Sequence, residues 1–328
     1  MRKAFASLLL LLSSRHAANA AAGGIADDPH LESVKDIFAW VAKASDGYVT
    51  NKQSVRRMVE NDTDTPLIVF ATEDIKKGEL LVQTPWSHII YSDDQEGDDE
   101  KDWWCGTARK LADEMQKGKD SFYAPYTSYI SDEPDGQLPS QYSKKGKDLL
   151  LQIVGSHPDE INRSQMFSRN EAYPQRLNPV KLMNTLDSWY YDCGGKRSDT
   201  IGAKAASMVV QRADDHILIP AYDAFNHRNN DNHNGKEYMN ARTVTTDGRY
   251  HQTFALRDIE QGEQIFISYN MCEQCGGRSD YGFGTGDMFR EYGFVEWFPQ
   301  RWCVRSCVRG ETLLFQLQSC FDTFSHYF

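Results

Sequence analysis

The segment ILIPAYDAFNHRNNDNHN, residues 217–234, crowds chemically capable groups behind an apolar run. Asp223, His227 and His233 are metal-ligand types, and Asn226 adjoins His227. A metal centre needs those three to converge. On a helix Asp223 and His227 would share a face, but Pro220 and the asparagine-rich tail argue against a helix here. The alternatives are a strand ending in a loop, with Asx turns from Asn229 onward, or the floor of a binding site. A second group lies towards the C-terminus. Cys272 and Cys275 make C-x2-C, and Cys303 and Cys307 make C-x3-C. These four thiols could close a structural zinc site or, in an oxidising compartment, pair as disulfides. Cys105, Cys193 and Cys320 bring the count to seven.

The elements that must position these groups can be read from periodicity. Leu31, Val34, Ile37, Phe38 and Val41 fall on one helical face, closed by Asp46-Gly47. Leu67–Ala71 reads as a buried strand, Lys77-Gly78 as a turn, and Leu80–Val82 as the start of a strand closed by Pro85. From Trp103 to about Ala206 the pattern turns helical and aromatic, with a Pro-bent stretch at FYAPYTSYI whose tyrosines read as packing residues. From residue 207 short β-rich runs return, SMVVQR, ILIPAY, ARTVTT, YHQTFALRDI and QIFISYN. ALRDIEQGEQI repeats ATEDIKKGELL, predicting two like hairpins in one sheet system. A β portion is therefore split by a helical insertion, and no Pro/Gly/Ser linker separates independent domains.

Composition bounds the function. With 40% apolar and 12% aromatic residues the chain can build a core, and a net charge of −11 argues against a general nucleic-acid binder. Arg2 and Lys3, the apolar run Ala4–Leu12 and Ala18-Asn19-Ala20 have the form of a secretory signal peptide; an organelle transit peptide is the alternative. No later run is long and apolar enough to span a bilayer.

In order, ATEDIKKGELL, a helical insert, VVQR, IPAYDAFNH, GEQIFISYN and REYGFVE resemble the SET-domain methyltransferases, in the branch with a helical insertion. That branch includes the Rubisco large-subunit lysine methyltransferase and the actin-histidine methyltransferase. The similarity runs from about Asp36 to Glu296. It implies an α+β fold of small sheets with a knot-like C-terminal segment, interrupted by the insertion. The units are then a signal peptide (1–20), an N-terminal helical segment (21–64), the SET N-terminal half (65–102), the insertion (103–206), the SET C-terminal half (207–300) and a Cys-containing tail (301–328).

The resemblance further implies S-adenosyl-L-methionine as cofactor and a protein with an exposed Lys, or less often His, as substrate. Tyr269 takes the place of the catalytic tyrosine. Asp223, Asn226, His227 and Arg212 take the cofactor-binding places, with Glu79 and Leu81 on the first β unit. Tyr292 and Phe294 fall where the family walls its channel. Departures are the absence of a Gly-rich entry before Leu67, the Cys-bearing enlargement between Tyr269 and Tyr292, and no room before Phe328 for the branch's C-terminal helical domain. The alternatives are a catalytically idle SET-like binding module and a Cys-stapled metal-binding protein.

Overall fold

A computed structural model describes residues 28–60, 62–92, 100–134, 136–154, 189–191, 193–214, 216–230, 237–246, 248–269, 285–295, 300–309 and 314–323. The signal-like segment 1–20, His233 and the pair Cys272/Cys275 lie outside the described residues.

The first helix, α1 (Pro29–Lys43), starts where the sequence supplies its caps. The Asp28 carboxylate accepts from Leu31 N at 3.0 Å, and Pro29 occupies the first turn, where a missing N–H costs nothing. Val34, Ile37, Phe38 and Val41 are buried, as their spacing predicts. Gly47 lets the chain fold back past the helix end, since a Cβ there would lie 1.8 Å from the Val41 carbonyl oxygen.

Four strands form the largest sheet: β1 (Tyr48–Val49), β4 (Leu80–Pro85), β7 (Tyr250–Ala255) and β6 (Ala241–Thr246), antiparallel in that spatial order. Elsewhere β2 (Gln53–Arg57) pairs antiparallel with β3 (Leu67–Ala71). A two-residue parallel pair joins β5 (Asn226–His227) to β8 (Phe266–Ile267). Near the C-terminus β9 (Gln300–Arg309) pairs antiparallel with β10 (Leu314–Thr323).

The repeated motif does not make two hairpins. β3 and β4 lie in different sheets, and the turn between them pairs with its own repeat. Ile75 N donates to Ile259 O and Ile259 N to Ile75 O, both at 2.9 Å. Gly78 N donates to Ala255 O at 2.8 Å, and Gly262 N to Ala71 O at 2.7 Å. Ala255 N reaches Glu79 O and Ala71 N reaches Glu263 O, both at 2.9 Å. The side chains follow the same rule: Asp258 accepts from Lys77 N, and Asp74 accepts from Gln261 N. A local two-fold axis thus relates the two copies, and each needs glycine at φ +83° or +85°.

The inserted helices are α2 (Glu100–Lys117), α3 (Ala124–Asp132), α4 (Lys144–Val154) and α5 (Thr200–Arg212). Pro125 sits in the first turn of α3, where it is tolerated, so FYAPYTSYI continues as a helix and is not bent. SMVVQR, expected as strand, is the end of α5. Asp199 caps this helix by accepting from Gly202 N at 2.8 Å, and Ala203, Ala205 and Ala206 favour it ahead of the β-branched pair. A disulfide between Cys105 and Cys193, Cα atoms 5.2 Å apart, ties α2 to the segment that leads into α5. A last helix, α6 (Thr285–Tyr292), precedes β9. One hydrophobic core runs from α1 through β3 and β4 to α2, α5 and residues 217–225, so the insertion shares the core of the β portion.

Cys303 and Cys307 lie on β9, and Cys303 stands opposite Cys320 in the register. Among the described residues no group of three or more His, Cys, Asp or Glu could hold a metal. Among them, too, no helix is long and apolar enough to cross a membrane.

Candidate active site

Backbone geometry delivers the Asp-x-x-Asn-His step. Leu218 exchanges both backbone hydrogen bonds with Ile90, at 2.9 and 3.0 Å, and Thr84 Oγ1 donates to Pro220 O at 2.9 Å. Ala221, fully buried, then takes φ 68°. A left-handed alanine costs about 1–3 kcal/mol, tolerated because the flanking residues fix it. This bend opens the 3-10 turn Tyr222–Ala224, followed by β5. Asn226 Nδ2 donates to Leu67 O at 2.8 Å, which ties β5 to β3.

The parallel pairing of β5 with β8 brings His227 to Tyr269. Tyr269 N donates to His227 Nδ1 at 2.9 Å. An accepting Nδ1 puts the proton of the neutral ring on Nε2 and removes Nδ1 as a metal ligand. The Tyr269 hydroxyl donates to Phe225 O at 2.8 Å. Its ring centroid lies 4.8 Å from Tyr292, 5.2 Å from His227 and 6.4 Å from Phe294. Burial raises the Tyr269 phenol well above its ordinary value; the Arg212 charge opposes this and the Asp223 charge adds to it. Phe294 is partly exposed, at the rim of this aromatic group.

Beside the tyrosine lies a buried polar cluster built from four segments. Arg212, in the last turn of α5, pairs through Nη1 with Asp223 Oδ2 at 3.2 Å and through Nη2 with Glu133. Arg212 Nη2 also donates to Tyr129 OH at 2.9 Å, and its guanidinium carbon lies 4.8 Å from the Tyr129 ring centroid. Tyr126 OH donates to Asp223 Oδ2 at 2.8 Å. From α1, His30 Nε2 approaches Glu133 at 3.5 Å. Burial raises Asp223 above the usual carboxylate value, against the pull of Arg212 and Tyr126. Arg212 Nε is buried and has no hydrogen-bond partner among the described residues.

Seven of the residues marked from sequence thus converge: Asp223, Asn226, His227, Arg212, Tyr269, Tyr292 and Phe294. Asp223 and His227 do not converge as metal ligands, because one is committed to Arg212 and Tyr126 and the other to Tyr269 N. Glu79 and Leu81 make other contacts. Glu79 closes its own turn by accepting from Lys76 N at 2.8 Å and pairs with Lys52 at 2.7 Å. The Leu81 side chain is fully buried, and its carbonyl accepts from Thr50 N at 2.9 Å. Tyr126, Tyr129, Glu133 and His30 were not anticipated. Their signal was the i, i+3 spacing of Tyr126 and Tyr129, which sets two phenols on one helical face, with Glu133 just past the helix end.

Similarity to known proteins bears on the fold. The sequence profile of the family described as SET domain matches residues 67–270. The chain is similar in structure to the SET domain of LSMT solved with lysine and AdoHcy, with TM-score 0.51 and 15% identity, over 90% of this chain and 68% of that one. It is equally similar to Rubisco LSMT solved with sinefungin and monomethyllysine, with TM-score 0.51 and 16% identity, over 90% of this chain and 67% of that one. At such identity the likeness is one of fold. No curated protein matches the chain at the level of sequence.

Proposed function

Because this chain belongs to the SET-domain family, we propose that it is an S-adenosylmethionine-dependent protein methyltransferase. Its acceptor is a Lys side chain on a protein partner, with His the lesser option. The observation that carries this function is Tyr269, a buried phenol pinned at its hydroxyl by Phe225 O and at its backbone by His227.

The residues present fit the cofactor. A buried Arg212 Nε with no partner among the described residues suits a carboxylate, and the faces of Tyr269, Tyr292 and Phe294 suit a sulfonium cation. Asn226, His227, Arg212 and Asp223 would hold it. When bound, it supplies a methyl group on a positively charged sulfur.

The chain's own residues do the rest by orientation and exclusion of water. Tyr269 stays a neutral phenol, because burial disfavours its anion. Its O–H is spent on Phe225 O, so the remaining lone pair accepts from an acceptor N–H. That contact fixes where the nitrogen lone pair points, and alignment of this kind is a large part of the barrier in a displacement. The aromatic rings of Tyr292 and Phe294 keep water from the nitrogen.

The signal-like N-terminus and the Cys105–Cys193 disulfide both support an oxidising, secretory compartment. Titration calorimetry with S-adenosylmethionine, followed by labelled-methyl transfer to a protein extract, tests the function. Tyr269→Phe is expected to bind the cofactor within about twofold of wild type and to lose roughly a hundredfold in transfer. Absence of binding by the intact wild-type chain overturns the function; undiminished transfer by Tyr269→Phe removes the tyrosine from its role.

A further inference from the structure

We propose that the inserted helix α3 is part of the working site: Tyr126, Tyr129 and Glu133 are positioning residues that hold Arg212 and Asp223 in place beside Tyr269. This rests on the function proposed above. Three observations carry it. Tyr126 and Tyr129 lie one turn apart on α3 and Glu133 is the residue that ends it, and both tyrosines are buried with their hydroxyls directed at the Arg212–Asp223 pair. Tyr129 and Glu133 both hold Arg212 Nη2 while Nη1 pairs with Asp223, and Tyr126 donates to the same Asp223 oxygen, so each charged group has a partner beyond the other. Asp223 stands two residues before Phe225, whose carbonyl accepts from the Tyr269 hydroxyl at 2.8 Å, so the backbone itself joins the cluster to the tyrosine.

Packing alone does not call for this chemistry. A buried hydroxyl or carboxylate is costly unless paired, and an apolar face would serve a purely structural helix better. Asp223 sits in a short 3-10 turn after a strained bend, and Arg212 reaches it as a long side chain from the last turn of α5, so the pair needs a further partner to fix its geometry. The inserted helix supplies that rigidity by donating to one and sandwiching the other. His30 of α1 closes the cluster from the far side of Glu133.

The test uses the full chain. Cofactor affinity is measured by calorimetry, transfer as kcat and KM, and stability by thermal melting, for Tyr126→Phe, Glu133→Gln and Glu114→Gln. Glu114 is a buried carboxylate of α2 that pairs with Lys117 and Ser121, away from the cluster, and controls for stability loss alone. Tyr126→Phe and Glu133→Gln are expected to weaken cofactor affinity or kcat/KM on the order of tenfold at temperatures well below their melting points, while Glu114→Gln leaves both unchanged.

A pH profile adds a readout that a structural role would not move. The groups facing Asp223 are Arg212 from α5, Tyr126 from α3, Glu133 at the C-terminal cap of α3, and Tyr269 after β8. Loss of the Tyr126 hydrogen bond removes a contact that favours the Asp223 anion, so the acid limb of the profile moves to higher pH in Tyr126→Phe. If wild type binds the cofactor but Tyr126→Phe and Glu133→Gln keep affinity, turnover and acid limb unchanged, the positioning role is overturned and the function stands. If wild type does not bind, both fall.

Discussion

Asp28 and Glu133 both carry carboxyls held down to about 2, by different balances. At Asp28 the hydrogen bond from Arg57 dominates; burial opposes it and Leu31 N adds to it. Glu133 is pushed up by burial, and His30, the Arg212 charge and Tyr129 outweigh that push. Asp223 shows the reverse outcome, since burial wins there. The Asp28 value lies below its usual 3.8. Its pairing therefore stabilises the fold at pH above 3.8, and that stability is lost as pH falls to about 2. Asp28→Asn keeps a capping side chain but removes the charge. It is expected to cost about 1 kcal/mol at neutral pH and to flatten the acid loss. Chemical denaturation of both proteins across that range checks this; an unchanged acid slope assigns the sensitivity to other groups.

At the scale of elements, the two-fold pairing of the repeated turns makes Gly78 and Gly262 equivalent. A Cβ at either meets nothing within 4 Å, so alanine there carries only the left-handed backbone penalty. Gly78→Ala and Gly262→Ala are each expected to cost about 1–2 kcal/mol, equal within about half that, in urea unfolding. A large inequality would show that the copies bear different loads. This repeat was legible in the sequence because both copies keep the glycine and the acid that closes the turn. Its pairing was not, since local pattern says nothing about a partner more than 180 residues away. The same limit hid the face of α3. Tyr126 and Tyr129 read as packing residues until Arg212 and Asp223 arrive from another part of the chain. α5 was misread at its end because Val209-Val210 favours strand locally, while the core buries Met208 and Val209 as helix. Asn226, His227 and Tyr269 were legible, because they sit in order around an insert whose limits could be seen. Cys105 and Cys193 were not, since spacing alone does not fix connectivity.

For the molecule as a whole, the Cys105–Cys193 bridge closes a loop of 88 residues that contains α3 and most of the insertion. Constraining such a loop in the unfolded chain is worth about 4–5 kcal/mol. Removing the bridge, by reductant or in the double variant Cys105→Ala/Cys193→Ala, is expected to lower unfolding free energy by that order. Guanidinium denaturation with and without reductant measures it, and identical midpoints would mean that the thiols are not joined. The two-fold turn pairing bears on biosynthesis. Lys76 and Asp258 stand 182 residues apart, so the first turn leaves the ribosome long before its partner exists. At 5–20 residues per second that interval is roughly 10–40 s. During it β4, which pairs with β7 in the finished sheet, presents an unpaired edge to every other chain in the compartment. The growing chain is then a client for whatever chaperones hold open strands, and its yield should depend on them more than its final stability does.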